Sequence, residues 1–352
     1  MALIIGVDVG ATTISAGLVT GEGAVVTVTQ GATRTPRQAD AVETLFALIR
    51  ALAAEACRRR LGVEAIGVGL PGLVDVERGM MVDGLNLVPE FAHVALAERL
   101  EAATGLPAFV DNDANALALG EWMFGAARGV SSLVLLAAGT GVGGAIIADG
   151  ALVRGAGGLA GEWGHVSLDP DGPPCLCGAR GCLHTYVGGQ SLAEAACRAA
   201  AGRPDSRLAP LFRDREALTA RAVFEAAAGG DAIAGEIVER ACRALGTVIG
   251  TIVNSLNPAM VLITGGVAAS LAPLRDRILA HAARCSLAPA LAAARVVINP
   301  SDKSRTVVAG AALALYELRR RRPHAGAAGA AAGTGDGRAG VSRDGAVVHG
   351  GA

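Results

Sequence analysis

An apolar run, a turn of small and hydroxyl-bearing residues, and a second apolar run occur twice in this chain. The first copy is Leu3–Val9, Gly10-Ala11-Thr12-Thr13 and Ile14–Val19. The second is Ser132–Ala137, Gly139-Thr140-Gly141-Val142-Gly143-Gly144 and Ala145–Ala148. Gly10 and Gly139 stand at matching places, 129 residues apart. Two halves that begin alike predict a duplicated, bilobal α/β fold.

The rest of each half alternates strand and helix patterns. Gly21-Glu22-Gly23 turns the chain into a third strand, Ala24–Thr29, and Ala39–Arg60 has helical spacing. Val63–Leu70 reads as a buried strand broken by Pro71-Gly72, and Ala95–Thr104 as a helix stopped by Gly105. The strand Ala108–Val110 delivers Asp111-Asn112-Asp113 to its carboxyl end before the helix Ala114–Phe124. Ligands of open α/β sheets gather there. In the second half, 191–256 reads as helices, Met260–Thr264 as a strand ending in Gly265-Gly266, Arg295–Ile298 as another strand and Val307–Arg321 as a closing helix.

Three of the seven cysteines fall within 159–184: Cys175, Cys177 and Cys182, with His165 ten residues before the first. Three thiolates and an imidazole make a full tetrahedral shell for a structural zinc, although this spacing lies outside the usual zinc-finger ranges. Cys57, Cys197, Cys242 and Cys285 sit in Ala-rich helical segments and read as reduced, packed thiols. Together they point to a reducing cytoplasm.

The formal charge of −1 gives no footing for nucleic acid or an acidic membrane. No run approaches the roughly 18 apolar residues of a membrane span, and the first ten residues lack a basic leader. With 52% hydrophobic but only 3% aromatic residues, Ala, Val and Leu must fill the core. From 322 to 352 the chain is mostly Gly and Ala and reads as a disordered tail.

Asp8, Gly10, Thr12 and Thr13 could cradle an anion through backbone N–H groups and hydroxyls, with the carboxylate holding Mg²⁺ through water. An ordinary hairpin fits the same residues. The second turn holds more glycine than a hairpin needs; neither turn matches the Walker A pattern, and Gly139–Gly144 opens no evident helix as a Rossmann turn would. A carboxylate at Asp113 could take a proton from an attacking hydroxyl. Asp111 or Asp113 could equally cap the following helix.

These residues carry a resemblance. From Leu3 to about Arg320 the chain resembles the ROK-family sugar kinases, of the actin/hexokinase-like ATPase superfamily with its ribonuclease H-like halves. The motifs are the Asp-x-Gly-x-Thr turn, 70–75 (LPGLVD), Asn86-Leu87, 112–116 (NDANA), 139–144 (GTGVGG), 161–165 (GEWGH), the Cys-x-Cys-Gly-x-x-Gly-Cys cluster, Gly265-Gly266-Val267 and Gly310-Ala311-Ala312. The resemblance implies a small N-terminal domain, 1–113, completed by a helix at 305–321, and a larger domain, 114–304. It implies an ATP-dependent hexose 6-kinase with Asp113 as general base, acting on glucose. Asn86, Asn112, Glu162, His165 and His184 would hold the sugar. Asp8, Gly10, Thr12, Thr13, Gly139, Thr140 and Gly141 would surround the triphosphate and Mg²⁺, with Gly265 and Gly266 near the adenosine. His165, Cys175, Cys177 and Cys182 would ligate a structural Zn²⁺. A homodimer or homotetramer is expected.

The chain departs from the family pattern at several points. Ala11 and Thr13 replace a Gly and a Lys in the first turn, a Trp usual after Asn86-Leu87 is absent, and Ala145 follows Gly143-Gly144 where three glycines are usual. Most consequential, Gly181-Cys182-Leu183-His184 ends in His where the family has Glu. A carboxylate only accepts hydrogen bonds, whereas imidazole donates and accepts. His184 therefore raises an amino or N-acetylated hexose (N-acetylglucosamine, N-acetylmannosamine or kanosamine) as the alternative substrate. A sugar-sensing repressor, also found in this family, is disfavoured by the seven residues before Asp8, which leave no room for a DNA-binding domain.

Overall fold

The computed structural model describes residues 3–33, 41–83, 87–201, 203, 205–210, 218–300 and 306–321. The first half runs β1 (Leu3–Val9), β2 (Thr13–Thr20), β3 (Val25–Ala32), α1 (Ala41–Arg58), β4 (Val63–Leu70), a hairpin of β5 (Leu73–Asp75) and β6 (Met80–Asp83), α2 (Leu96–Thr104), β7 (Ala108–Asn112) and α3 (Asp113–Phe124). The second half runs β8 (Leu133–Ala138), β9 (Val142–Ala148), β10 (Ala151–Leu152), α4 (Leu183–Val187), α5 (Gly189–Ala200), α6 (Ala220–Ala228), α7 (Ala232–Leu256), β11 (Met260–Thr264), α8 (Ala268–Leu271), α9 (Arg275–Ala283), α10 (Ala288–Ala293) and β12 (Arg295–Ile298). The helix α11 (Thr306–Arg321) follows.

The sheets repeat one topology. The first is ordered β3-β2-β1-β4-β7 and the second β10-β9-β8-β11-β12. In each, the opening strand pairs antiparallel with the next and parallel with the strand that returns after a helical crossover. The repeat read from Gly10 and Gly139 is thus a structural duplication, and the doubled α/β architecture is that of the actin/hexokinase-like ATPases.

The central strands are buried on both faces, which is why their sequences are unbroken apolar runs. From β1, Leu3, Ile5, Val7 and Val9 pack with Leu45 and Ile49 of α1. From β8, Val134 and Leu136 pack with Leu245 and Ile249 of α7. The opposite faces, Ile4 from β1 and Leu133 and Leu135 from β8, share a middle layer with Leu119 of α3 and Leu313 of α11. Each fully buried Leu or Ile in these layers contributes about 1.5–3 kcal/mol.

The closing helix reaches the first sheet through glycine. A Cβ on Gly6 would stand 1.9 Å from the Val307 carbonyl oxygen, and one on Gly67 1.9 Å from that of Gly310. Only bare backbone lets α11 lie so close, and that approach carries its first residue, Thr306, to the end of β1.

Candidate active site

A cleft of about 310 Å³ opens where the parallel strands of both sheets end. It receives Asp8 and Gly10 after β1, Gly72 after β4, Asn112 and Asp113 after β7, Gly139, Thr140 and Gly141 after β8, and Gly265 after β11. Glu162, His165 and His184 form another part of its wall. Asn86 lies outside the described residues. Thr12, Thr13 and Gly266 are exposed and stand outside this lining.

Asn112 caps α3. Its Oδ1 accepts from the Ala114 and Asn115 amides at 2.8 and 3.3 Å, and its Nδ2 donates to the Gly72 carbonyl at 2.9 Å. The cap is therefore neither of the two aspartates that could have served. Asp111 instead turns inward to Arg154, whose Nε and Nη2 donate to its Oδ2 at 2.9 and 2.7 Å.

Asp113 accepts from the Ala114 amide at 2.8 Å. Burial, then the negative charge of Asp8, then that of Glu162 push its carboxyl up to about 7, against the pull of the Ala114 N–H. Burial also raises Asp8, partly offset by a hydrogen bond from the Thr306 side chain, and raises Glu162. Three carboxyls crowded into one cleft disfavour ionisation of all together. A cation or donor-rich ligand relieves that repulsion.

Both turns are fastened from behind. The Thr33 hydroxyl donates to the Gly10 carbonyl at 2.7 Å, and the Gly10 amide to the Thr13 carbonyl at 2.9 Å. In the second turn the Gly139 and Thr140 carbonyls accept from the Gly189 and Gln190 amides at the start of α5, at 2.9 and 3.0 Å. His184 stands against this turn: the Val142 amide meets its Nδ1 at 3.4 Å. Burial, then proximity to His165, pushes the His184 imidazole below its usual pKa, with Glu194 opposing.

The cysteine cluster folds back on itself. The Leu168 amide bonds the Gly181 carbonyl, the Leu183 amide bonds the Val166 carbonyl, and Ser167 pairs with Cys182. This returns Cys182 to His165. The ligand atoms of His165, Cys175, Cys177 and Cys182 lie within 4.8 Å of one another. Cys175 Sγ is 3.5 Å from His165 Nδ1, and Cys177 Sγ is 3.8 Å from Cys182 Sγ. A tetrahedron with Zn–S of about 2.3 Å and Zn–N of about 2.0–2.1 Å has edges of about 3.8 and 3.5 Å, so the quartet fits that ion. Burial and the two neighbouring sulfurs push the Cys182 thiol up to about 12, which a bound cation would reverse. With Nδ1 turned toward the sulfurs, His165 retains Nε2 for the cleft.

Residues 4–317 match the model of the ROK family. The chain belongs to the ROK family. A glucokinase of Halalkalibacterium halodurans is 35% identical over 291 residues, 79% of this chain and 86% of the relative. Among solved structures, a ROK family glucokinase from Streptomyces griseus, in complex with glucose and AMPPNP, superposes with a TM-score of 0.73 at 31% identity, covering 89% of this chain and 99% of that one. A ROK family transcriptional regulator, a homologue of the E. coli MLC protein, superposes at 0.77 with 29% identity, covering 90% of this chain and 78% of that one. The ROK fold thus serves enzymes and regulators alike, and the side chains in the cleft must separate them.

Three residues in or behind this cleft went unread in the sequence: Thr306 in its lining, and Thr33 and Arg154 behind it. Thr306 lies 298 positions from Asp8, its partner. The glycine spacing that brings α11 down on β1 was the available signal.

Proposed function

We propose that this ROK protein is an ATP-dependent hexose 6-kinase acting on glucose, with Asp113 as general base. The observation that carries this reading is the position of Asp113, a carboxyl in the cleft beside Asp8 and between two glycine turns, where burial and the neighbouring charges push its pKa up to about 7. A regulator needs sugar contacts but no such base.

Asp113, deprotonated, accepts the proton of the sugar's 6-hydroxyl as that oxygen attacks the γ-phosphorus. The bond to the β-phosphate bridging oxygen breaks, and ADP and the sugar 6-phosphate leave. A positioned base contributes roughly 10²–10⁴-fold; alignment and charge neutralisation supply much of the remainder. Glu162 accepts from sugar hydroxyls, His165 presents Nε2, and Asn112, with Asn86, orients the ring. Gly10, Gly139, Thr140 and Gly141 would surround the phosphates and Gly265 would lie near the adenosine; Thr12, Thr13 and Gly266, assigned the same roles, stand outside the lining of the cleft. Asp8 would hold Mg²⁺ through water, and that ion supplies charge neutralisation at the phosphates. His165, Cys175, Cys177 and Cys182 would hold a structural Zn²⁺, keeping one sugar contact still. The reading extends to a homodimer or homotetramer in a reducing cytoplasm. All seven cysteines are free thiols, and no helix among the described residues is long and apolar enough to cross a membrane.

A second reading keeps the reaction and changes the sugar to an amino or N-acetylated hexose. It rests on His184, which puts an imidazole where an acceptor-only carboxylate was expected. Coupled ADP release across glucose, mannose, fructose, N-acetylglucosamine, N-acetylmannosamine and kanosamine tests both. Glucose is expected to give the highest kcat/KM. An N-acetylated or amino sugar at least tenfold better selects the second reading, and no turnover of any hexose defeats both.

A further inference from the structure

Behind the cleft lies a buried ionic cluster that the proposed chemistry does not use. Arg154, just past β10, donates through Nε and Nη2 to Asp111 Oδ2 at 2.9 and 2.7 Å, and through Nη2 to Glu317 Oε1 at 2.7 Å. The side chains of Asp111, Glu317 and Arg154 are 1%, 9% and 14% exposed. Each member belongs to a different piece of the fold: β7 of the first sheet, the strand edge of the second, and α11 between them. Arg320 completes the charge balance at 3.2 Å from Glu317.

Each piece also bears on a cleft acid. Asp111 Oδ1 accepts from the Asn112 amide at 2.7 Å and from Asn115 Nδ2 at 2.9 Å, so it pins the first turn of α3, where Asp113 stands. The Arg154 carbonyl accepts from the Ala160 amide at 2.9 Å, closing the loop that leads into Gly161-Glu162. Glu317 stands about three turns along α11 from Thr306, which holds Asp8. Taking three charges out of water is costly, and apolar packing would serve stability as well or better. A guanidinium differs from an apolar filler in imposing fixed, forked directions on its partners.

We propose that Arg154 is a positioning residue: by clamping Asp111 and Glu317 it sets the mutual placement of Asp113, Glu162 and Asp8. The proposal rests on the kinase reading for its kinetic test, but not for its structural one. Arg154 touches no substrate. Its effect passes through the Asn112–Asn115 turn on one side and the 154–160 loop on the other.

Arg154→Met alone leaves two buried carboxylates facing each other, so misfolding could mask the effect. The informative variant is the neutral triple Asp111→Asn, Arg154→Met, Glu317→Gln, studied beside Arg154→Lys and the wild type. The expected result is a triple variant with an unaltered melting temperature and a nucleotide KM within twofold, but kcat at least tenfold lower. Arg154→Lys, which keeps the charge and loses the fork, should fall between. Hydrogen exchange should quicken in peptides covering 112–115 and 155–162 while that of β4 and α1 stays as in the wild type. A triple variant within twofold of wild-type kcat, with unchanged exchange at both segments, overturns the proposal. So does a loss of kcat matched by equal losses in nucleotide binding and melting temperature, which marks a merely structural role. If the wild type phosphorylates no hexose, the kinase reading fails, and the exchange comparison alone decides for or against the clamp.

Discussion

The imidazole of His184 stacks on that of His165, with ring centres 5.7 Å apart and planes 14° from parallel. Its other edge fills the space beside Gly141, where an added Cβ would stand 2.4 Å from His184 Cε1. One side chain therefore touches a residue proposed to hold the sugar and a turn proposed to hold the phosphates. A change at either should be felt at the other.

Gly141→Ala should lower kcat/KM at least tenfold, because the new methyl drives His184 off the turn. In a His184→Ala background the same change should cost under threefold. Steady-state kinetics on the four proteins of this cycle give the coupling, expected at about 0.7 kcal/mol or more. Additive losses would mean that the ring and the turn do not communicate.

Elemental analysis should find one zinc per chain. Stripping it with a chelator, or substituting Cys177→Ser, should raise the sugar KM at least tenfold and change the nucleotide KM much less, since on the proposed reading the metal would act through His165. Metal-free protein with unchanged sugar affinity would separate the cluster from the site.

If Asp113 is the base, its elevation to about 7 should set the acid limb of activity. A base works deprotonated, so kcat/KM should fall about tenfold per pH unit below pH 7, instead of holding down to the ordinary carboxylate range. A pH–rate profile at saturating nucleotide that stays flat to pH 5 would assign the proton transfer elsewhere.

Much of this was legible before the structure. Leu3–Val9, Val63–Leu70, Met260–Thr264 and Arg295–Ile298 are strands with the very ends read from the sequence. Buried parallel strands are continuous apolar runs, and those of the first, second and third are cut by Gly or Pro. The hairpin β5–β6 and the two-residue β10 were not foreseen, being too short to show a period. Around the site the sequence named Asp113 and the metal quartet, because those residue types cluster along the chain. It left the cap of α3 between Asp111 and Asp113, and the structure gives it to Asn112, since Asp111 is engaged by an arginine 43 residues away. Pairings of that range leave no local trace. Asn86 and the tail from 322 onward lie outside the described residues.

Asp113 should also carry a cost in stability. Its folded pKa is raised from 3.8 to about 7, so the folded state holds an extra proton between those values. Stability is then lost as pH rises through that window, and the deficit is complete above pH 7. At about 1.36 kcal/mol per pH unit it amounts to at most about 4 kcal/mol. Asp113→Asn should therefore melt higher than the wild type at pH 8, with a smaller gain at pH 5. Calorimetry showing a lower melting temperature at pH 8 would contradict this.

The same variant decides the central claim. Wild-type protein and Asp113→Asn, purified in parallel, are compared for glucose-dependent ADP release with Mg²⁺ and ATP. The account predicts turnover by the wild type and a loss of at least 10²-fold in a variant that remains folded and still binds sugar. A folded Asp113→Asn protein that keeps most of the wild-type rate would contradict it.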